Sequence, residues 1–225
     1  MHIGLIGGIG PAATEYYYRG LIDRHRAAGT WPDLTIVNAD VRDLGRNLAN
    51  EDAPAQAEIF ARLTRRLQAA GAEAVAVTSM GGHFCAREFT ALSPLPIINA
   101  IPAVDAAIKQ RGARIVGVLG TMMVMRTRLY GGITSAGCVV PAGEAMQRVH
   151  DAYIAMAGEG RVSDAQRAVF LSAGEQMTRE QGADAIMLGG TDLFLAFDGA
   201  DPGFPLIDCA AIHIDAIYQR SIASE

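Results

Sequence analysis

The chain has 225 residues, half of them hydrophobic, and a formal net charge of −5 at pH 7. This composition can form a substantial core in one domain or in two compact lobes, and it excludes an intrinsically disordered chain. A sequence pI near 5.5 argues against binding dominated by attraction to nucleic acid or to an anionic membrane, so the expected partner is a small molecule.

The N-terminal segment "MHIGLIGG" has no basic stretch ahead of an apolar run, and the sequence contains no run of about 18 apolar residues. A cytoplasmic protein is therefore expected. The three cysteines, Cys85, Cys138 and Cys209, are odd in number and lack metal-ligand spacing. Neither a disulfide framework nor a metal site is expected, and each cysteine is interpreted as a small buried residue.

Short apolar runs recur along the chain, and each is followed by a longer segment with helical spacing. This alternation predicts an α/β fold built around mostly parallel sheets. The predicted strands are residues 2–7, 34–40, 73–79, 114–120, 138–141, 184–190 and 205–208.

Two of the intervening helices have clear sequence signals. Ile59, Phe60, Leu63 and Leu67 mark one face of a helix that is expected to end near Gly71. A second helix is expected to begin at Ser163, because its hydroxyl can cap the free amides while Gln166 completes a capping box.

The two halves of the chain resemble each other. "GLIGGIG" aligns with "GVLGTMM" and "AVAVTSMGG" with "AIMLGGTDL" at nearly equal offsets, which favours an internal duplication. We therefore expect a first α/β lobe over residues 1–100 and a second over 101–209, with a hinge near residues 100–102. The final helix, residues 210–221, is expected to pack back on the first lobe.

A glycine-rich turn follows the first predicted strand, with Gly8 and Gly10 ahead of Pro11. Glycines permit a tight turn and close approach of a ligand, Pro11 suits the first position of a helix, and a helix N-terminus favours anions. The turn predicts a carboxylate or phosphate site, or only a strand-to-helix connection. A dinucleotide fingerprint fits poorly, since Asp40 lies farther beyond Ala13 than the usual spacing of about 20 residues.

Four segments together resemble the cofactor-independent aspartate/glutamate racemase superfamily. "GLIGGIGPAAT" (4–14) is similar to its Gly-Gly-Met-Gly-Pro-x-Ala-Thr opening. "VLGTMMVMRTRLY" (118–130) is similar to Leu-Gly-Thr-x-x-Thr-Met followed by an aromatic residue, with Val124 in place of the second threonine. "LGGTDL" (188–193) resembles Leu-Gly-Cys-Thr-Glu-Leu, and "PLIDCAAIH" (205–213) resembles Pro-Leu-x-Asp-Thr followed by histidine.

This resemblance implies two pseudo-symmetric lobes, each a parallel sheet flanked by helices, with the ligand site in the cleft between them. It also implies a homodimer, no pyridoxal phosphate or other cofactor, and one reactive cysteine at a strand end in each lobe. Two acid/base groups are needed because a racemase removes the α-proton from one face of the carbon and delivers a proton to the other.

Both expected cysteines are absent. The family's Cys-Asn-Thr-x-His pattern aligns with residues 79–83, which places Ser79 at the first cysteine, and the second cysteine falls at Gly190. A thiol with a pKa of about 8.5 exchanges protons at neutral pH, whereas an alkoxide is far less accessible and glycine has no side chain. The usual two-thiol mechanism therefore cannot operate at these positions.

Four residues are the candidates for catalysis: Ser79, His83, Asp192 and Cys85. His83 matches the family's histidine, and Asp192 replaces the family's glutamate, although each can equally serve a structural role. Cys85 follows Ser79 near a helix start, where the helix field lowers a thiol pKa, and Ser79 is better suited to donate a hydrogen bond than to act as a base. Cys209 and His213 follow the last strand.

The candidates for substrate binding are turn residues and one arginine: Gly8, Ile9, Gly10, Arg42, Gly81, Thr121, Gly190 and Thr191. Backbone amides and hydroxyls in these turns can hold carboxylates. Arg42 can pair with a second carboxylate of the ligand or form a surface ion pair. The tyrosines at 16–18 are interpreted as packing or subunit contacts.

The resemblance favours an enzyme that acts, as a racemase does, at the α-carbon of a small acidic carboxylate. A one-sided decarboxylase, lyase or isomerase is an alternative, because one face lacks a proton donor. A carboxylate-binding protein derived from a racemase is another alternative, and it would bind without turnover. A dinucleotide oxidoreductase is the remaining alternative.

Overall fold

The computed structural model describes residues 1–199 and 201–223. It divides the chain into two compact units, which we call the first and second units. The first unit contains Met1–Ala100 and the chain from His213 onward, and the second contains Ile101–Ile212. The chain thus leaves the first unit at the start of one helix and returns to it within the last helix.

The sheet of the first unit has three parallel strands in the order β2-β1-β3. The strands are β1 (Ile3–Gly7), β2 (Leu34–Asn38) and β3 (Ala74–Val77). A parallel bridge between Val75 and Ile97 extends the sheet beyond β3. β1 is buried along its whole length, as expected for the central strand of a covered parallel sheet.

The sheet of the second unit has four parallel strands in the order β5-β4-β6-β7. Its strands are β4 (Ile115–Leu119), β5 (Gly137–Val139), β6 (Ala185–Leu188) and β7 (Leu206–Asp208). β1, β2 and β3 correspond in order and direction to β4, β5 and β6, and the bridge at Ile97 occupies the place of β7. This repeated order is what an internal duplication predicts.

The α/β class with two parallel sheets flanked by helices is confirmed, and each of the seven predicted strands is present. Most strands are shorter than predicted at their carboxyl ends. β3 ends at Val77 and β6 at Leu188, so Ser79 and Gly190 lie in turns beyond the strands. The sequence predicts longer strands because the turn residues continue the apolar runs without a break.

Helices follow most of the strands, in the alternation expected of β-α units. Their bounds are α1 (Pro11–Ala27), α2 (Val41–Ala49), α3 (Ala53–Ala69), α4 (Ala86–Leu92), α5 (Ala100–Arg111), α6 (Met122–Arg126), α7 (Glu144–Glu159), α8 (Asp164–Gln181), α9 (Phe194–Phe197) and α10 (Cys209–Ile222). Among the described residues, no helix combines the length and apolar character needed to span a bilayer.

Each unit has its own apolar core. Phe60, Leu63 and Leu67 of α3 are buried in the core of the first unit, which confirms the helical face predicted from their spacing. α7 and α8 supply much of the core of the second unit, including Tyr153 and Phe170. Burial of these large side chains stabilises each unit by about 1.5–3 kcal/mol per side chain.

The start of α8 has the capping box predicted from the sequence. The Ser163 hydroxyl accepts a hydrogen bond from the Gln166 amide (3.2 Å), and the Gln166 side chain accepts one from the Ser163 amide (2.7 Å). These bonds satisfy two donors that a helix N-terminus otherwise leaves to solvent.

We expect Ser163→Ala to lower the free energy of unfolding by about 1 kcal/mol, because the first turn of α8 loses its side-chain acceptor. Urea unfolding followed by circular dichroism measures the change. Ser172→Ala is the matched control, since Ser172 is exposed within the same helix and alanine is the better helix former. An equal loss in both variants would show that the cap contributes nothing specific.

Candidate active site

Most of the candidate residues lie in turns where strands end. Gly8–Gly10 follow β1, and Ser79 follows β3, while Thr121 follows β4 and Gly190–Asp192 follow β6. Because the strands within each sheet are parallel, their carboxyl ends lie at one edge of that sheet. In open α/β sheets this edge is where ligands bind. Each unit therefore brings its own set of candidates together at one edge.

The turn after β1 depends on glycine. Gly8 and Gly10 have φ angles of 81° and 87°, a region that residues with a Cβ rarely adopt. The Gly8 amide donates to the Thr14 hydroxyl (2.9 Å), which in turn donates to the Gly10 carbonyl (3.2 Å). The Gly8 amide is thus used within the turn and shapes the loop. Helix α1 follows directly and begins at Pro11.

The turn after β3 holds Ser79 in a buried position. The Gly82 amide donates to both the Ser79 carbonyl (3.2 Å) and the Ser79 hydroxyl oxygen (3.4 Å). A short 3₁₀ helix, Gly81–Cys85, then continues the chain. A Cβ on Gly81 would lie 3.5 Å from Ser79 Oγ, which is an ordinary contact. Ser79 Oγ accepts from the turn and keeps its own O–H as a donor.

His83 has hydrogen bonds at both ring nitrogens. Nδ1 donates to the Ser79 carbonyl (2.8 Å), and Nε2 accepts from the Ala100 amide (3.2 Å). A carbonyl only accepts and an amide N–H only donates, so these partners assign the neutral tautomer with the proton on Nδ1. Burial lowers the pKa of His83 to about 4. The ring ties the turn after β3 to the start of α5.

His213 has a similar environment in the same unit. Its Nδ1 accepts from the Tyr17 hydroxyl (2.8 Å), and its Nε2 donates to the Ile98 carbonyl (2.8 Å). The rings of His83 and His213 meet edge to face, with centroids 5.4 Å apart. Burial first, and His83 second, lower the pKa of His213 to about 3. Both imidazoles are therefore neutral and engaged at neutral pH, as expected of structural histidines.

None of the three thiols is activated. Cys85 is fully buried in the core of the first unit, where burial raises its pKa to about 12. This corrects the expectation that a helix field lowers it, because the cost of desolvating a thiolate exceeds the benefit of the helix field. Burial also raises the pKa of Cys138 and raises that of Cys209 well above its ordinary value.

Arg42 lies on the surface of the first unit. Its guanidinium is 86 % exposed and pairs with Asp40 (2.5 Å). Asp40 also caps α2 by accepting from the Arg42 amide (2.9 Å), and its hydrogen bonds with Arg42 hold its pKa at about 2. Arg42 thus takes part in a surface ion pair, one of its two predicted roles.

In the second unit, the turn after β4 is organised around Thr121. The Thr121 hydroxyl caps α6 by accepting from the Val124 amide (3.3 Å), and His150 Nδ1 accepts from the Met122 amide (3.1 Å). After α6, Arg128, Leu129 and Tyr130 have φ angles between 52° and 60°. Such left-handed conformations cost roughly 1–2 kcal/mol for each non-glycine residue.

The turn after β6 contains the position of the second missing cysteine. Gly190 leads into a short 3₁₀ helix, Thr191–Leu193, and both Thr191 and Asp192 are buried. The Tyr153 hydroxyl, on α7, donates to Asp192 Oδ2 (3.1 Å). Burial first, and then the charge of Asp192, raise the pKa of Tyr153 well above its ordinary value.

Tyr153 was not among the sequence candidates. It lies on the buried face of α7 together with Val149 and Met156, so its spacing indicates only a core position. Its hydrogen bond to Asp192 joins segments that are far apart in the chain, and no local sequence pattern predicts this bond. Within residues 1–199 and 201–223, no group of three or more His, Cys, Asp or Glu side chains is placed to hold a metal ion.

A model of the Asp/Glu/hydantoin racemase family matches residues 6–217. The match covers both units and each of the strand-end turns described above. The chain therefore belongs to the Asp/Glu/hydantoin racemase family.

Solved structures agree with this assignment. A proposed Asp/Glu racemase from Yersinia pestis is 25% identical and superposes with a TM-score of 0.86, covering 99% of this chain and 100% of the other. An aspartate racemase homologue from Pyrococcus horikoshii OT3 is also 25% identical, with a TM-score of 0.81 and coverage of 99% of both chains. The Picrophilus torridus aspartate racemase, at 18% identity, shares the fold with a TM-score of 0.78 and coverage of 98% and 94%.

We expect the free energy of unfolding to fall as the pH is lowered from about 6.5 toward 4. In the folded protein His83 and His213 have pKa values of about 4 and about 3, while the unfolded chain titrates near 6.5, so the unfolded state binds protons that the folded state excludes. Each histidine contributes up to about 1.4 kcal/mol per pH unit. Urea unfolding at a series of pH values measures the slope.

His213→Gln tests the source of this slope. The variant should be less stable at neutral pH, because it loses a buried hydrogen-bonded ring, yet its stability should depend less on pH below about 6.5. The same slope in variant and parent would contradict the assignment to the buried histidines.

Proposed function

We propose that the protein is a racemase-like enzyme, independent of pyridoxal phosphate, that acts at the α-carbon of a small acidic carboxylate. The observation that carries the proposal is the family match over residues 6–217, which includes the strand-end turns of both sheets. Aspartate and glutamate are the first substrates to test, because the two 25% identical structures are described as a proposed Asp/Glu racemase and an aspartate racemase homologue.

Carboxylate binding is assigned to the retained turns. In the first unit, the turn at Gly8–Gly10 leads into the N-terminus of α1, where unpaired amides and the helix field favour an anion. The Ser79 hydroxyl adds a hydrogen-bond donor in the turn after β3, the strand that pairs with β1. In the second unit, Thr121 and Thr191 supply hydroxyl groups at strand ends.

Proton removal is assigned to Asp192. Among the four catalytic candidates, His83 has both nitrogens engaged and Cys85 has a pKa of about 12. The Ser79 alkoxide is too basic to form at neutral pH without a dedicated base. A carboxylate accepts a proton without first losing one, and the other such group of the four, neutral His83, already uses its unprotonated nitrogen to accept from the Ala100 amide.

The matched experiment compares Asp192→Asn with Asp198→Asn. Proton NMR in deuterated water should show loss of the α-proton signal of aspartate or glutamate with the parent protein. A general base contributes about 10²–10⁴ in rate, so Asp192→Asn should lower the exchange rate by that factor. Asp198 is exposed in the same unit, and its substitution should leave the rate unchanged.

Equal rates in the two variants would refute the role of Asp192. If neither acidic amino acid loses its α-proton with the parent protein, the proposed activity is wrong. Loss of carbon dioxide or of another group, detected by mass spectrometry, would replace it with a one-sided decarboxylase or lyase.

A second candidate function is carboxylate binding without turnover. The three thiols with raised pKa values and the two engaged histidines favour it, because they leave few groups able to exchange protons at neutral pH. It predicts that aspartate or glutamate binds in calorimetry while its α-proton persists in deuterated water. Exchange would exclude this candidate.

The family resemblance also predicts a homodimer. Sedimentation equilibrium of the purified protein should give twice the chain mass of 23.8 kDa. A single-chain mass across the working concentration range would contradict the dimer.

A further inference from the structure

The absence of a side chain at position 190 is not required by the backbone. Gly190 has φ −120° and ψ 131°, an extended conformation that any residue adopts. This differs from Gly8 and Gly10, whose positive φ angles require glycine. The reason for glycine at 190 must therefore lie in the space around it.

The ring of Tyr153 occupies that space. A Cβ added to Gly190 would lie 2.7 Å from Tyr153 Cζ and 2.9 Å from Tyr153 Oη, distances that real Cβ atoms do not show. Tyr153 is only 7 % exposed and belongs to the apolar core formed with Leu188, Leu193 and Met156. Because interiors are close-packed, the ring cannot move aside without disturbing the core.

The hydroxyl of the same tyrosine is fixed by Asp192. It donates to Oδ2 across 3.1 Å, and Asp192 itself is 4 % exposed. A phenol that gave its proton to a substrate would become a phenolate beside this carboxylate, in a buried place where like charges repel strongly. Tyr153 is therefore unsuited to replace the missing thiol as a proton donor, but it is well placed to orient the carboxylate.

We propose that Tyr153 is a positioning residue that takes the volume of the missing side chain at position 190 and holds Asp192 as the single proton carrier of this turn. The inference rests on the proposed function for its chemical consequence. Asp192 takes the α-proton as the Cα–H bond breaks, and the electron pair passes into the enolate of the substrate carboxylate. The protonated Asp192 exchanges this proton for a deuteron of the solvent and returns the deuteron to the same face, where the electron pair of the enolate forms the new bond at the α-carbon. Deuterium therefore enters the substrate with retention of configuration.

The occupancy of position 190 is tested by a double-mutant cycle that needs no substrate. Gly190→Cys should lower Tm by about 2–10 °C, because the new side chain meets the Tyr153 ring. The double variant Gly190→Cys/Tyr153→Ala should show a smaller drop in Tm than the sum of the drops in the two single variants, since the thiol then enters space that the ring has left. Gly190→Cys with Tyr153→Phe keeps the ring and should show no such relief.

Gly158→Cys is the matched control for the added thiol. Gly158 lies on α7, and a Cβ there would meet nothing within 4 Å, so Tm should stay close to that of the parent. If the drops in Tm are additive, or if Gly190→Cys is as stable as Gly158→Cys, then the Tyr153 ring does not occupy the space at position 190.

The positioning role is tested by Tyr153→Phe, which keeps the ring and removes the bond to Asp192. We expect a drop of about tenfold or more in the exchange rate, little change in KM and a shifted pH profile, because a hydrogen bond to a charged group is lost. A purely structural role would leave the pH profile unmoved, and that result would overturn the inference.

The last test measures the stereochemical outcome of the exchange. Chiral chromatography should show L-substrate that gains one deuterium while no D-isomer accumulates, and racemisation at the rate of exchange would overturn the single-carrier assignment. If the parent exchanges no α-proton, the proposed function fails, and the inference is then decided by the stability cycle alone.

Discussion

Parallel pairing of β strands is the constraint on which every functional argument about this chain depends. In each sheet, the edge formed by the amino ends of the strands differs chemically from the edge formed by their carboxyl ends, because all strands run in the same direction. Residues that are distant in sequence, such as Gly10 and Ser79 in one sheet or Thr121 and Asp192 in the other, reach a common edge without any long-range signal in the chain. The strands themselves need to specify only apolar character and length.

Burial then decides which side chains at these edges can exchange protons. Removing a group from water disfavours its charged form, so thiols lose thiolate character and histidines lose their imidazolium form. The first unit shows both effects at Cys85 and at the His83 and His213 pair. The first unit therefore uses its polar residues chiefly to fix turns and helix ends, while the second keeps a buried carboxylate with a phenol bound to it.

The sequence was sufficient to predict most of the fold, because apolar runs and capping signals are local. The capping box at Ser163 and the buried face of α3 are examples. Strand ends were less predictable. The apolar run that forms β3 continues smoothly into the turn that holds Ser79, and only hydrogen bonding to a neighbouring strand separates the two.

The candidate site was predictable only in part, for a different reason. The turn residues belong to short motifs, so Gly10, Ser79 and Thr121 were found from sequence. Tyr153 was missed because its role depends on a contact with Gly190 that forms only when α7 packs on the sheet. Arg42 was ambiguous, because its sequence neighbours did not indicate whether Asp40 or a ligand would be its partner.

The packing of Tyr153 over Gly190 also constrains how related sequences can change. A larger residue at 190 fits only if the aromatic ring at 153 shrinks, and a smaller residue at 153 leaves a hollow unless 190 grows. A change at either position alone gives a less stable protein, so residues 153 and 190 should covary among related sequences. In a newly determined sequence of this kind, the residue at one position should therefore forecast the residue at the other.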